Sequence, residues 1–237
     1  IFLCLIASMN IRVETNLLEY FKQDSSVRQA SQFIDNHLGG VETLEVSLSC
    51  EGEGCFLEPE TLQLVEKIES FLKQQPIVSN VTSINDFFRE MNKAFHSEDP
   101  EWFRLPGSRA LAAQYLLLYD GDDIDFLLNE ERNWSRVSAR ITEHNSNQVA
   151  AYIDTLKNFL DDVTRGTQVE ARVTGKTLIA NKLINFIVNS QVQSLALAFA
   201  LIFMVMLRIF RSFKLGLIAF IPNALPILLN FAVMGAF

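Results

Sequence analysis

Residues that commonly carry enzyme chemistry are scarce in this 237-residue chain, which has three histidines and three cysteines. His37, His96 and His144 lie far apart, and none has metal-ligand spacing to another His or Cys, so they read as surface residues and no metal is expected. There is no G-x-S-x-G elbow and no Cys/His nucleophile pairing, which argues against an enzyme, and no cofactor is expected. Gly175-Lys176-Thr177 looks like the end of a phosphate-binding loop, but that loop requires Gly where Glu170 stands. Asp120, Asp122, Asp123 and Asp125 lack the spaced Gly and terminal Glu of a calcium loop and read as a solvated turn. No Lys/Arg stripe interleaved with aromatics occurs in this acidic chain, which excludes a nucleic-acid partner.

Acidic residues are also missing from the last quarter of the chain. All 28 Asp and Glu lie between Glu14 and Glu170, and of the 20 Lys and Arg only Arg208, Arg211 and Lys214 lie beyond Lys182. The middle thus sets 17 basic against 28 acidic residues, while the tail is basic. Residues 192–210 (VQSLALAFALIFMVMLRIF) hold no charge before Arg208. At 1.5 Å per residue they span roughly 28 Å, close to a bilayer's hydrocarbon core. Residues 215–237 form a second uncharged stretch of spanning length. Residues 1–9 (IFLCLIASM) are apolar but too short to span and lack the basic flank of a signal peptide. They are expected to be the outer end of a first transmembrane helix, with Phe237 falling inside a third. Arg208, Arg211 and Lys214 mark the short loop 211–214 as cytoplasmic, which turns the acidic middle outward. Cys50 and Cys55 bracket Glu-Gly-Glu-Gly in that outward part; their spacing suits a disulfide in an oxidising compartment and equally suits two unpaired thiols.

Within the middle, periodicity alternates between strand and helix. Asp24 and Ser25 offer N-caps to a helix with Val27, Ala30, Ile34 and Leu38 at helical spacing, ended by Gly39-Gly40. Residues 41–49 alternate Leu44, Val46 and Leu48 with polar neighbours, as a strand with one buried face does. Glu58-Pro59-Glu60 opens a helix with the stripe Leu64, Val65, Ile68, Phe71 and Leu72, stopped by Pro76, and residues 77–84 read as a second strand. The same order returns in a strand over 134–142, a helix carrying Val149, Ile153, Leu156, Leu160 and Val163, and a strand in which Val169, Ala171 and Val173 alternate with polar residues. Between the two β-α-β units lies an insertion, 85–132, expected to hold helices over 86–95, 108–119 and 123–131. The expected fold class is therefore α+β: ferredoxin-like split β-α-β units with a helical insertion, attached to transmembrane α-helices. From Lys176, helical spacing continues through Leu178, Ile179, Leu183, Phe186 and Ile187, so one helix is expected to begin outside the bilayer, run into it over 176–210 and couple the domain rigidly to the membrane.

Several phrases, in this order, resemble the resistance-nodulation-division (RND) superfamily and its MMPL-like and Patched-like branch. They are Tyr20-Phe21-Lys22-Gln23-Asp24-Ser25 leading to Leu38-Gly39-Gly40, then EPETLQLVEKIESFLKQQP before VSNVTSINDF, then Val173-Thr174-Gly175. The last is Arg211-Ser212-Phe213-Lys214-Leu215-Gly216 followed by Ile221-Pro222-Asn223-Ala224-Leu225-Pro226. The resemblance covers almost the whole chain. It implies a multi-pass inner-membrane transporter of about twelve helices in two similar halves, each with an outward periplasmic domain after its first helix. This chain resembles the first half, with residues 10–175 as the porter-like domain. The family's ion-coupling acids are expected in later helices.

The partners that follow are the lipid bilayer, a hydrophobic or lipid substrate, the remaining half of the same transporter, and an oligomeric or periplasmic partner. In the last hydrophobic segment Pro222 and Pro226 each remove a backbone donor, and Asn223 and Asn230, seven apart, share one face. Polar residues in lipid turn toward other helices or a wet path, so these four are candidates for a substrate path, while helix packing and a structural kink is the more ordinary reading. Asn80-Val81-Thr82 and Asn133-Trp134-Ser135 fit the glycosylation pattern, but they sit at expected strands and carry no meaning in a bacterial protein. The leading expectation is an exporter of lipids or other hydrophobic molecules. The alternative is a membrane-anchored interaction or sensing module, or a protein-translocation accessory, through which nothing passes.

Overall fold

In the computed structural model of the protein, the described residues are 21–119, 124–143 and 145–234; within 213–234 the side chains of 223, 224, 228, 231, 232 and 234 are set aside. The expected end of a first membrane helix, with Cys4, lies outside the described residues, as do Asp120, Asp122, Asp123 and His144. The chain divides into two compact units, one of them Asn16–Asn181 and the other containing Lys182–Phe237.

The first unit is a mixed α/β domain with a four-stranded antiparallel sheet. Helix α1 (Ser26–Leu38) is capped by Ser25, whose hydroxyl accepts from the Arg28 amide, and ends where Gly39 turns left-handed. Its expected stripe is only partly used, because Val27 and Leu38 remain exposed. Strand β1 (Glu42–Cys50) is followed by a 3₁₀ turn (Cys55–Leu57), helix α2 (Pro59–Lys73, with Pro at its first position) and strand β2 (Val78–Thr82). The insertion carries α3 (Ile84–Phe95) and α4 (Arg109–Leu118). Then come β3 (Trp134–Ile141), α5 (Ser146–Val163) and β4 (Val169–Thr174).

The strand order is β2-β3-β1-β4, with every neighbouring pair antiparallel. β3 separates β1 from β2, and β1 separates β3 from β4, so each β-α-β unit is split by a strand of the other. One face is apolar: Leu44, Val46 and Leu48 lie opposite Ala139, Val137 and Ser135, all buried. Leu62, Val65, Ile68 and Leu72 of α2 and Val149, Ile153, Leu156 and Leu160 of α5 complete this core, and Phe71 stacks on Phe159 at 3.9 Å between ring centroids. The other face is polar and wet, as antiparallel sheets allow. There Trp134 Nε1 donates to Ser47 Oγ at 2.8 Å, and Arg136 pairs with Glu45 at 3.4 Å.

Two expectations are corrected. Strand β2 stops at Thr82 because Ser83 and Asp86 form a reciprocal capping box that starts α3 at Ile84. The helix expected over 123–131 is absent from the described part of that segment: Leu128 bridges Ser135, and the Arg136 amide donates to the Leu127 carbonyl at 2.9 Å. The reason is backbone accounting. β2 pairs only with the 138–141 end of β3, and the other end takes this segment as its partner.

Helix α6 (Lys176–Phe210) starts in this unit, where Thr177 Oγ1 donates to Glu42 Oε2 at 2.7 Å and Asn181 Nδ2 to the Ser146 carbonyl at 2.7 Å. Gly175, left-handed at φ 101°, is the one-residue joint between β4 and α6. A side chain there would press on the Glu45 backbone at 3.3 Å. In the second unit α6 continues to Phe210, and α7 (Phe213–Met234) folds back along it. Phe199 and Phe203 meet Phe213 and Phe220 edge to face at 5.5–5.8 Å, and Gly216 lies against Leu207. Among the described residues one helix, α6, is long and apolar enough to cross a membrane. Its 35 residues measure about 52 Å, well beyond a roughly 30 Å hydrocarbon core.

Candidate functional site

A cleft lies at the end of the sheet away from Gly175, where β1 finishes and β4 begins. It encloses about 710 Å³ and is lined by Glu51, Glu53, Glu58 and Glu60, with Arg109, Thr167 and Gln168 among the other wall residues. Four carboxylates against one guanidinium make its mouth negative. A smaller recess beside it is lined by Ser49, Cys50 and Glu170.

Local structure explains this concentration. β1 ends at Cys50, which forms a disulfide with Cys55, with the Cα atoms 6.5 Å apart. The four residues enclosed are Glu-Gly-Glu-Gly, and Gly52 and Gly54 adopt left-handed φ values of 93° and 78°. The ring is laid on the 129–133 turn by backbone bonds from Cys50 N to Asn133 O (3.0 Å), Gly54 N to Glu131 O (2.9 Å) and Phe56 N to Arg132 O (3.0 Å). Phe56 and Leu57 then plunge into the core. Arg109, at the start of α4, crosses from the insertion: its Nη1 donates to Glu58 Oε1 at 2.7 Å and its Nη2 to the Glu53 carbonyl at 3.3 Å. A Cβ on Gly54 would stand 2.5 Å from Nη2, so glycine is what lets the guanidinium lie on the ring.

The other end of the insertion is tied by buried polar groups. Arg89 of α3, 8% exposed, bonds Glu69 of α2, 2% exposed, at 2.8 Å, and also Glu66 at 3.0 Å and Asp86 at 3.2 Å. Ser83 donates a hydrogen bond to the other oxygen of Glu69. Burial by itself would lower the Arg89 pKa, but the hydrogen bonds and charges of Glu69, Glu66 and Asp86 outweigh it and hold the pKa above its ordinary value. Asn92 donates to the Trp102 and Arg104 carbonyls at 3.0 Å and accepts from the Tyr115 hydroxyl at 2.7 Å. Burial pushes the Tyr115 phenol up, and that of Tyr152, which has no hydrogen-bond partner, up further.

Of the residues singled out in the sequence, Cys50 and Cys55 come together at the cleft. Pro222, Asn223, Pro226 and Asn230 all belong to α7; Pro222, Pro226 and Asn230 are exposed, and the Asn223 side chain is outside the described set. His37 is exposed, stacked on Phe33. His96 is half-buried, bonded through Nδ1 to the Asn92 carbonyl at 2.7 Å and stacked on Trp102 at 3.6 Å. Asp125 is exposed in a turn. Of the two glycosylation patterns, Asn80 lies in β2, and Ser135 is fully buried with its hydroxyl on the Leu127 carbonyl. Among the described residues no group of three or more His, Cys, Asp and Glu is placed to hold a metal ion. The cleft was only half visible in advance: the bracketing cysteines mark the ring, but Arg109 arrives from 51 positions beyond Glu58. No family model and no curated protein matches the chain.

Proposed function

We propose that this chain is part of an RND/MMPL-type membrane transporter that exports lipids or other hydrophobic molecules from the inner membrane, driven by an ion gradient through residues it does not contain. One observation carries the reading. An interleaved β-α-β sandwich of ferredoxin-like order passes through a single glycine into a 35-residue helix, whose apolar second half ends at Arg208 and turns back into a second apolar helix. That succession matches the layout the sequence resemblance implies. In this reading α6 and α7 cross the bilayer, the acidic domain faces the periplasm, and the basic turn at Arg208, Arg211 and Lys214 is cytoplasmic. The disulfide suits that oxidising side. Pro222, Asn223, Pro226 and Asn230 belong to the substrate path in α7, where polar amides need partners other than lipid. The lipid bilayer, the hydrophobic substrate, the remaining half of the transporter and a periplasmic or oligomeric partner are the interactions expected.

Two experiments test the reading. In a Cys4→Ser background, an impermeant thiol reagent applied to intact cells should modify Ser70→Cys, on an exposed position of α2, but not Ser212→Cys; the reverse pattern rejects the topology. In the full-length protein, Asn223→Leu and Asn230→Leu should lower transport of a fluorescent lipid while leaving expression intact. Parallel loss of expression and activity would make the amides packing elements, and normal transport in both variants would remove them from the path. If no lipid or hydrophobic dye moves in any assay although the topology holds, the interaction or sensing module is the better description.

A further inference from the structure

We propose that the Cys50–Cys55 disulfide is a redox latch on the insertion: while closed, its ring holds the first turn of α4 through Arg109, and its reduction frees that turn and widens the acidic cleft. The two ends of α4 are held by different means. At its far end Tyr115 is buried, bonded to Asn92 and stacked on Phe95 at 5.5 Å, and none of these contacts involves the ring. At its near end Arg109 grips the Glu53 carbonyl inside the ring and the Glu58 carboxylate just beyond it, with its guanidinium lying on Gly54.

Backbone bonds to the 129–133 turn pin the ring at Cys50 and Gly54, and the disulfide closes the stretch between them. Two of the four enclosed residues are left-handed glycines, the residues with most conformational freedom to regain. Once Cys50 and Cys55 are separate, residues 51–53 can leave the geometry in which the Glu53 carbonyl meets Arg109. Phe56 and Leu57 stay anchored by burial, and Cys50 stays in β1. The change is therefore local: buried Ala112 and Tyr115 keep α4 on the core while its first turn, around Arg109, loosens.

The bond is also reachable. Cys55 lines the acidic cleft, Cys50 lines the recess beside it, and both are only partly buried. The reductant required is a dithiol. One thiolate attacks a sulfur of the pair, forming a mixed disulfide and releasing the other cysteine as a thiolate. The second thiol of the reductant then displaces the remaining cysteine, so two electrons and two protons pass to Cys50 and Cys55 and the reductant leaves as its own disulfide.

Hydrogen exchange read by mass spectrometry on the whole chain in detergent, with and without dithiothreitol, tests the latch. Reduction should speed exchange in residues 110–116 roughly three- to tenfold, the scale set by losing one half-exposed ion pair and one hydrogen bond, and leave β1 and β3 unchanged. Arg109→Gln, oxidised, should show the same local acceleration, and reducing that variant should add nothing in residues 110–116. Unchanged exchange there on reduction, an equal rise across β1 and β3, or additive effects of reduction and Arg109→Gln would each overturn the latch. Cys50→Ser/Cys55→Ser, which needs no reductant, must reproduce the reduced pattern, and a pattern like the oxidised one also overturns it.

Discussion

Removing Arg89 should be the most damaging single change to the domain among its polar residues. Glu69 is 2% exposed and faces Arg89 at 2.8 Å, so that guanidinium is its main charged partner in the core. Arg89→Met deletes the counter-ion and leaves only the Ser83 hydroxyl on a buried charge. Breaking a buried pair from one side costs about 3–5 kcal/mol, whereas Glu66 and Asp86, 48% and 36% exposed, stay solvated and contribute little. For a domain of this size that corresponds to a fall in Tm of roughly 6–20 °C. Replacing both members by apolar residues removes the buried charge altogether, so Arg89→Met/Glu69→Met should recover most of the loss. The assay is simple because both tryptophans, Trp102 and Trp134, lie in this domain, and their fluorescence during urea unfolding of the whole chain in detergent reports on it alone. The sign in pH also follows: a guanidinium whose folded pKa is raised stabilises at every pH below its unfolded value, so Arg89 itself should add no pH dependence to wild-type stability from pH 6 to 9. Arg89→Met within about 0.5 kcal/mol of wild type, or a double variant no better than the single one, would refute the reasoning.

Tyr152, 8% exposed with an unpartnered hydroxyl, should tolerate Tyr152→Phe or gain about 1 kcal/mol, whereas Tyr115→Phe loses the bond to Asn92 and should cost about 1–2 kcal/mol. Because burial raises the Tyr152 phenol's pKa, the folded state holds a proton that the unfolded chain gives up near pH ~10, so stability falls above that pH by up to about 1.4 kcal/mol per unit. Tyr152→Phe should flatten that alkaline limb, and an unchanged slope in urea titrations at several pH values would show the phenol is not responsible. At Gly40, left-handed at φ 108°, a Cβ would meet the Ile141 carbonyl at 2.2 Å, while at Gly52, φ 93°, it would meet nothing. Gly40→Ala should therefore cost more than about 2 kcal/mol and Gly52→Ala about 1 kcal/mol; equal losses would mean that backbone strain alone sets both.

Periodicity by itself determined the four strands, the two helices that cover the sheet and the inward residues Leu44, Val46, Leu48, Val137 and Ala139, because a core with one buried face imposes its spacing on the chain. Local chemistry likewise set the ends of α1 at Ser25 and Gly39 and the start of α2 at Pro59, since caps and first-turn prolines act over three or four residues. Tertiary structure decided what depends on distant partners. Residues 124–131 looked helical by composition but serve as an edge segment, because β3 had backbone groups to satisfy beyond the reach of β2. Glu69, one polar position in an apolar stripe, is buried only because Arg89 and Ser83, from beyond β2, reach it. The spacing of Cys50 and Cys55 left their pairing open, and the bond follows from where the fold directs the end of β1 and the 3₁₀ turn that begins at Cys55. The acidic cleft has the same origin: its carboxylates are local to the ring and the start of α2, but the guanidinium that closes over them is brought from the insertion, a pairing that side-chain reach alone cannot specify in one dimension.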